Sequence, residues 1–413
     1  MISELKIRNF KSLQEVNLKL GPVNLFVGTN ASGKSNLCDV LRFLQGVGNG
    51  FSLPEILDGK PQSATTVRWD GIRGGSAFVI FRDLPADRVA VSASVEASLS
   101  SDTRLGFDFG YFIEIEAPKS GPRLLGESVN TGNRYLYDTD KVTYNSFASS
   151  IFAQYDRQSG RGRKPSMDFE RSGPILGQIW RKPECSPKDR ALLQECAVVL
   201  ADVQYSDPNP LYLREYASVL AADRLGDRGE NFAAVMNQIC GDLEAKSGLL
   251  AWLRELVPDE IDDISILSGA LQEPLFAVIQ GNVKFPAPVL SDGTLRFAAL
   301  AGQFFQKSMP AVLLIEEIEK GLHPSRLRLL LELMRSQSKR TGTQVFATTH
   351  SPTLLSWLNE EDRKTAFVCT RDAESGATRM HSLAEVPRLE ELIKKGHPID
   401  QLFEEGWLES ALL

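Results

Sequence analysis

Apolar and polar positions along this chain change their period several times, and each change predicts an element. The run Val23 to Val27 is apolar and β-branched at both ends, as a buried parallel strand should be. After it, Leu37, Val40, Leu41 and Leu44 share one face of a helix beginning near Ser35. Ala311 to Ile315 and "TQVFAT" read as two further buried strands, and Leu295 to Phe305 as an apolar helix. Residues 76 to 145 alternate in short runs ("SAFVIF", "VAVSASVEA", "FDFGYFIEIEA"), which predicts an antiparallel subsheet. From 150 to 175 the chain turns polar and glycine-rich, 187 to 256 reads mainly helical, and 264 to 287 reads as a β-hairpin. There is no internal repeat and no heptad run long enough for a coiled coil.

Length and charge narrow the class. The chain has 413 residues, enough for one large α/β domain with an insertion or for two domains. No apolar run approaches the ~20 residues of a membrane span. Glu4, Lys6 and Arg8 break any signal-peptide core. The five cysteines (Cys38, Cys185, Cys196, Cys240, Cys369) are scattered without metal spacing, which points to reduced thiols in a cytoplasm. The four histidines are equally dispersed. A net charge of −7 argues against a uniformly basic nucleic-acid coat, though not against a local basic patch.

Four short stretches carry chemistry. In "LFVGTNASGKSNLCDV", Gly28, Gly33, Lys34 and Ser35 have the spacing of a phosphate-cradling loop between a strand and a helix. Glycines let backbone N–H groups close on phosphate oxygens, Lys34 would reach the β- and γ-phosphates, and Ser35 would offer its hydroxyl to Mg²⁺. In "MPAVLLIEEIEKGLHP" the apolar strand ends at Glu316 and Glu317. Ligands of open α/β sheets sit at such strand ends, so one carboxylate would serve Mg²⁺ and the other the attacking water. An ordinary acidic helix start is the bland alternative. "TQVFATTHSP" places His350 just past another strand, where it would sense a γ-phosphate or merely meet solvent. "VLSDGTLRFAAL" puts Ser291, Asp292 and Gly293 at a helix start, either a plain N-cap or a second anion site.

Taken in this order, the phosphate loop, "LSDGT", the strand with "EE" and the strand with "THSP" resemble the ATPase heads of the ABC-type superfamily. The opening "ISELKIRNFKSL" resembles its RecF, SMC and OLD-like branch, and "LLIEEIEKGLHP" with "GENFAAVMNQI" the single-chain AAA-21 or RecF-like ATPases. The resemblance covers 1–48 and about 210–413, and the middle only weakly. It implies an α/β ABC-ATPase head with a mixed or parallel core sheet, an antiparallel β subdomain and a helical insertion. The expected division is a nucleotide-binding lobe at 1–145, a polar basic loop and helical insertion at 146–262, and a second lobe at 263–413. Carried over residue by residue, Gly28, Asn30, Gly33, Lys34, Ser35 and Asn36 match the Walker A loop. Glu316 and Glu317 match the Walker B pair, as metal ligand and catalytic base, and His350 the switch histidine. Ser291 and Gly293 match the signature, which in this superfamily touches ATP held by the opposite copy, so a homodimer follows. Gln204 is the candidate Q-loop glutamine. Two departures stand out: Asp292 where transporters have Gly, and Glu316 where Asp is usual.

The resemblance implies a Mg²⁺-dependent ATPase that dimerises around ATP and couples hydrolysis to DNA transactions or phage defence with a partner. The alternative is an ATP-dependent dimerisation switch that sequesters or activates a separately encoded toxin or nuclease, with little turnover. About sixty residues follow His350, too few for a Toprim nuclease. The "NFKSL" start and the long insertion make a transporter subunit a poorer match, and no phosphoryl-acceptor site suggests a small-molecule kinase. "RQSGRGRK" carries Arg157, Arg161, Arg163 and Lys164 without an acid, either a solvated loop or a contact to DNA or RNA phosphates.

Overall fold

The computed structural model describes residues 1–61, 69–81, 92–99, 108–132, 134–139, 149–155, 166–256 and 261–411. The chain forms two compact units, one made of 1–21, 28–203 and 368–381, the other of 22–27, 204–367 and 382–413. Among the described residues, no helix is long and apolar enough to cross a membrane.

In the first unit, β1 (Ile2–Phe10) and β2 (Leu13–Lys19) form a hairpin, and β1 also pairs with β4 (Ala93–Leu99). Five strands continue the sheet: β5 (Phe109–Glu116), β6 (Arg123–Thr131), β7 (Arg134–Thr139), β8 (Ser150–Tyr155) and β9 (Ser166–Glu170). Every pairing in it is antiparallel. The alternation read in "VEASL" and "YFIEIE" is the alternation of buried and half-exposed side chains in β4 and β5. "SAFVIF" departs from the strand expectation. Ser76–Phe78 is a 3₁₀ turn, and only Ile80 bridges, to Phe10. Gly74 and Gly75 take φ of 80° and 60°, and the Ser76 amide donates to the Asp58 carboxylate. The backbone therefore turns where the apolar run alone predicts extension.

Helix α1 (Lys34–Gly48) buries the predicted Leu37, Val40, Leu41 and Leu44. The unit also holds α2 (Leu53–Asp58), α3 (Leu176–Ile179) and α4 (Pro187–Ala201). Strands β8 and β9 occupy both ends of the stretch read as a polar glycine-rich segment. The basic cluster Arg157, Arg161, Arg163 and Lys164 lies outside the described residues.

The second unit is built on parallel strands. β3 (Val23–Val27), β14 (Val312–Ile315) and β15 (Gln344–Thr349) pair in the order β14-β15-β3, and β10 (Val203–Ser206) flanks β14. Phe26 stacks on Phe346 at 6.2 Å and on Phe367 at 5.1 Å, filling the core beneath. Residues 264 to 287 form a three-stranded meander, not a hairpin: β11 (Asp263–Ser268), β12 (Pro274–Gln280) and β13 (Val283–Pro286). After α5 (Pro210–Leu213), the long helical pattern splits at Asp242 into α6 (Phe232–Gly241) and α7 (Leu243–Leu256). The Asp242 carboxylate accepts from the Glu244 and Ala245 amides, which restarts the helix. Helices α8 (Asp292–Gly302) and α9 (Pro324–Thr341) complete the layer. Strand β16 (Ala366–Arg371) passes from this unit into the first, where most of β17 (Thr378–Ser382) lies.

Candidate functional site

In the first unit, the loop from Gly28 to Gly33 leaves the end of β3 and enters α1 directly. Gly33 caps the helix with φ 94°, and Ala31 is also left-handed at φ 64°. A Cβ on Gly33 would lie 1.9 Å from Thr378 Oγ1, and one on Gly28 2.4 Å from the Cys369 carbonyl. Both positions therefore admit only glycine, for packing as well as backbone reasons. Lys34 is the first residue of α1 and is buried. Its ammonium donates to the Gly28 and Thr29 carbonyls at 2.8 Å each and to Ser32 Oγ at 3.3 Å. Burial pushes the Cys369 thiol up to about 12, against the pull of the Lys34 charge, so no thiolate faces the loop at neutral pH.

Around the loop stands a polar scaffold that motif reading passed over. Asn36 Nδ2 donates to Ser12 Oγ at 2.6 Å, and Ser12 Oγ meets Thr378 Oγ1 at 2.6 Å. Asp39, buried on α1, accepts from Lys11 and from Arg73, and Arg73 also donates to the Ser35 carbonyl. Lys11 and Asn9 have φ of 52° and 53°, so the "NFKS" turn is a backbone shaped to meet α1. Asn30 is exposed at the loop's tip.

In the second unit, β14 and β15 end side by side, and the predicted acids and histidine follow at once. Glu317 is left-handed at φ 48°, an unusual state for a side-chain-bearing residue. Its amide donates to Thr348 Oγ1 at 3.0 Å, and its carboxylate lies 3.7 Å from His350 Nε2. The His350 amide donates to Glu319 Oε1 at 2.6 Å. Glu316 is half-buried, and its amide reaches the Ser206 carbonyl at 3.3 Å. Ser291 is an N-cap: its hydroxyl accepts from the Thr294 amide at 3.1 Å. Gly293 is buried where a Cβ would stand 2.7 Å from the Gly321 carbonyl. Asp292, the departure from the transporter signature, pairs with Arg214 at 2.5 Å.

Two family models match this chain. The "AAA ATPase domain" covers 1–104, and "AAA domain, putative AbiEii toxin, Type IV TA system" covers 257–356. An "ATP/GTP phosphatase" of Helicobacter pylori is 22% identical over 382 residues, which is 89% of this chain and 90% of that protein. In fold the chain is similar to an SMC head solved with the C-terminal winged-helix domain of ScpA, with a TM-score of 0.52, 14% identity, and 95% and 99% of the two chains covered. A Pyrococcus furiosus SMC head with an extended coiled coil gives 0.50 at 13% identity, with 95% and 99% covered. The matched models support an ATPase, and the fold is that of SMC heads. The expected fold class, a mixed α/β ATPase head, holds.

In this ATPase, Gly28, Asn30, Gly33, Lys34, Ser35 and Asn36 stand on one loop–helix turn of the first unit. Ser291, Gly293, Glu316, Glu317 and His350 stand on the second. Gln204 has a different environment from the one expected of a Q-loop. It is buried in β10, where its amide donates to Leu225 O and Gln303 Oε1 and accepts from Gln306 Nε2 at 2.7 Å. Its polar atoms are engaged in the core, because the apolar run ahead of it leads into a strand and not a loop. Sequence reading missed Thr348, Glu319 and Arg296. The first two stand beside motif residues in "TTH" and "EEIE", but nothing local marks Arg296.

Proposed function

We propose that this ATPase binds MgATP between two copies of the chain and uses hydrolysis to drive DNA transactions or phage defence with a partner protein. The observation that carries this is the Glu317–His350 pair at the ends of neighbouring parallel strands, with Glu317 held in a strained backbone state. Lys34 would neutralise the β- and γ-phosphates, giving up loop carbonyls for phosphate oxygens. Glu317 would orient and deprotonate the attacking water, and His350 would hydrogen-bond the γ-phosphate. A hydroxyl at Ser35 and a carboxylate at Glu316 are hard oxygen donors, the set Mg²⁺ takes. Bound there, Mg²⁺ would offset charge on the phosphates. Ser291 and Gly293 would serve ATP held by the second copy.

The test is Glu317→Gln. It should bind ATP with near-parent affinity, turn it over at least roughly a hundredfold more slowly, and accumulate as a dimer with ATP and Mg²⁺. Parent-like turnover would remove Glu317 as the base. The nucleic-acid part rests on sequence alone: replacing Arg157, Arg161, Arg163 and Lys164 by Ser should weaken DNA or RNA binding and flatten its salt dependence. Unchanged binding curves would leave a solvated loop. A second reading, an ATP-dependent dimerisation switch on a separately encoded toxin or nuclease, draws support from the toxin–antitoxin description matched over 257–356. It requires a parent protein that dimerises with ATP yet hardly hydrolyses it.

A further inference from the structure

Arg296 is the largest fully buried polar side chain of the second unit, with 1% of its surface exposed, and it projects from α8, the helix that Ser291 caps. One guanidinium nitrogen, Nη1, donates to Asp207 Oδ1 at 3.0 Å and to the Pro208 carbonyl at 2.7 Å. The other, Nη2, donates to the carbonyls of Glu316 at 3.3 Å and Glu317 at 3.2 Å. Nε is buried without a hydrogen-bond partner. A merely space-filling role does not explain this arrangement, since a buried ion pair can often be replaced by apolar side chains without loss of stability. The choice of partners is more telling. Two of the four oxygens are the backbone carbonyls of the two candidate active-site glutamates.

Glu317 needs such support. Its φ of 48° is a conformation that persists in a side-chain-bearing residue only where neighbours over-determine it. Thr348 Oγ1 fixes the amide on one side of Glu317 and Arg296 the carbonyl on the other. We propose that Arg296 is a positioning residue, which holds the Glu317 backbone in its left-handed state and thereby ties the carboxylate's aim to the position of α8. The arrangement extends the proposed mechanism. A helix that Ser291 caps and whose Arg296 reaches the Glu317 carbonyl would pass displacement at the signature on to the base. The inference rests on Glu317 being that base.

Because Arg296 acts through Glu317, its loss should lower kcat and leave KM. In soluble Arg296→Met, kcat should fall roughly tenfold or more while KM and the affinity for a fluorescent ATP analogue stay within about threefold. Arg296→Lys, which keeps a cation able to donate to the same carbonyls, should recover part of kcat. Adding Arg296→Met to Glu317→Gln should bring little further loss in single-turnover hydrolysis, since no base remains to be aimed. If Arg296→Met fails to fold, Thr348→Val takes its place and should show the same kcat-only loss and the same lack of additivity. Parent-like kcat in these variants, or an equal further loss in the Glu317→Gln background, overturns the positioning role. Glu317→Gln measured alone separates the two ideas: inactive beside a parent-like Arg296→Met, it leaves the base standing and sinks this inference, whereas a fully active Glu317→Gln sinks the base.

Discussion

At the scale of single residues, the phosphate loop is held ready by its own lysine. The Lys34 ammonium already sits on two loop carbonyls and a hydroxyl, so it both charges the loop and shapes it. Lys34→Ala is therefore expected to lose ATP turnover by at least roughly a hundredfold and to lose loop order with it. The protein should stay folded, with stability lowered by about 1–3 kcal/mol for the donor removed from a buried site. Parent-like turnover in this variant would remove Lys34 from the mechanism. Such residues were legible because a phosphate loop constrains spacing: Gly28 and Gly33 fall where no Cβ fits, and the helix must start at once. The supports were not legible. Ser12 and Thr378, or Asp39 and Arg73, meet only through the fold, at separations no local pattern encodes.

Elements show the same division. Strands β4 and β5 announce themselves because one face is buried and the other is not, whereas "SAFVIF" is equally apolar yet turns under the control of Gly74, Gly75 and Asp58. The antiparallel sheet also hides a carboxylate that no periodicity reveals. Glu127 of β6 is fully buried and accepts from Tyr111 and Tyr137 hydroxyls at 3.0 and 2.8 Å, and from the Ile175 and Leu176 amides at the start of α3. Burial pushes it up to about 7, with those four donors pulling the other way. An unfolded glutamate titrates near ~4.3, so the folded chain binds this proton more tightly than the unfolded one. Glu127 thus favours the fold fully below pH ~4, and that contribution is lost as pH rises through about 7. Its size is on the order of 3 kcal/mol. Urea midpoints measured at pH 5, 6 and 7 should fall with rising pH more steeply in the parent than in Glu127→Gln. Parallel lines for the two proteins would rule out this titration.

At the scale of the whole molecule, the parallel strands, the phosphate loop and the capped helix α8 were all foreseeable, because each is built on a long apolar run or a fixed motif. The division into units was not, since β3 belongs to one unit while the loop it feeds belongs to the other. Whether such a chain works as a dimer is open to a direct test. If Ser291 and Gly293 serve the second copy's ATP, each dimer has two sites, each made from one copy's Lys34 and the other's Ser291. Lys34→Ala then spoils both sites of its own dimer. Ser291→Arg does so too, by setting a long side chain against the γ-phosphate, and it forfeits the N-cap bond to Thr294 at a cost of about 1 kcal/mol. In a mixed dimer both lesions fall in one site and the other is whole. Random mixing makes about half the dimers mixed, so two inactive proteins should together recover up to about a quarter of parent activity, provided the sites fire independently. A mixture that stays inactive means either a self-contained site or obligatory coupling, and titrating parent protein with Lys34→Ala separates these. Activity that falls in proportion to dilution marks the self-contained site, and a steeper fall marks sites that must fire together.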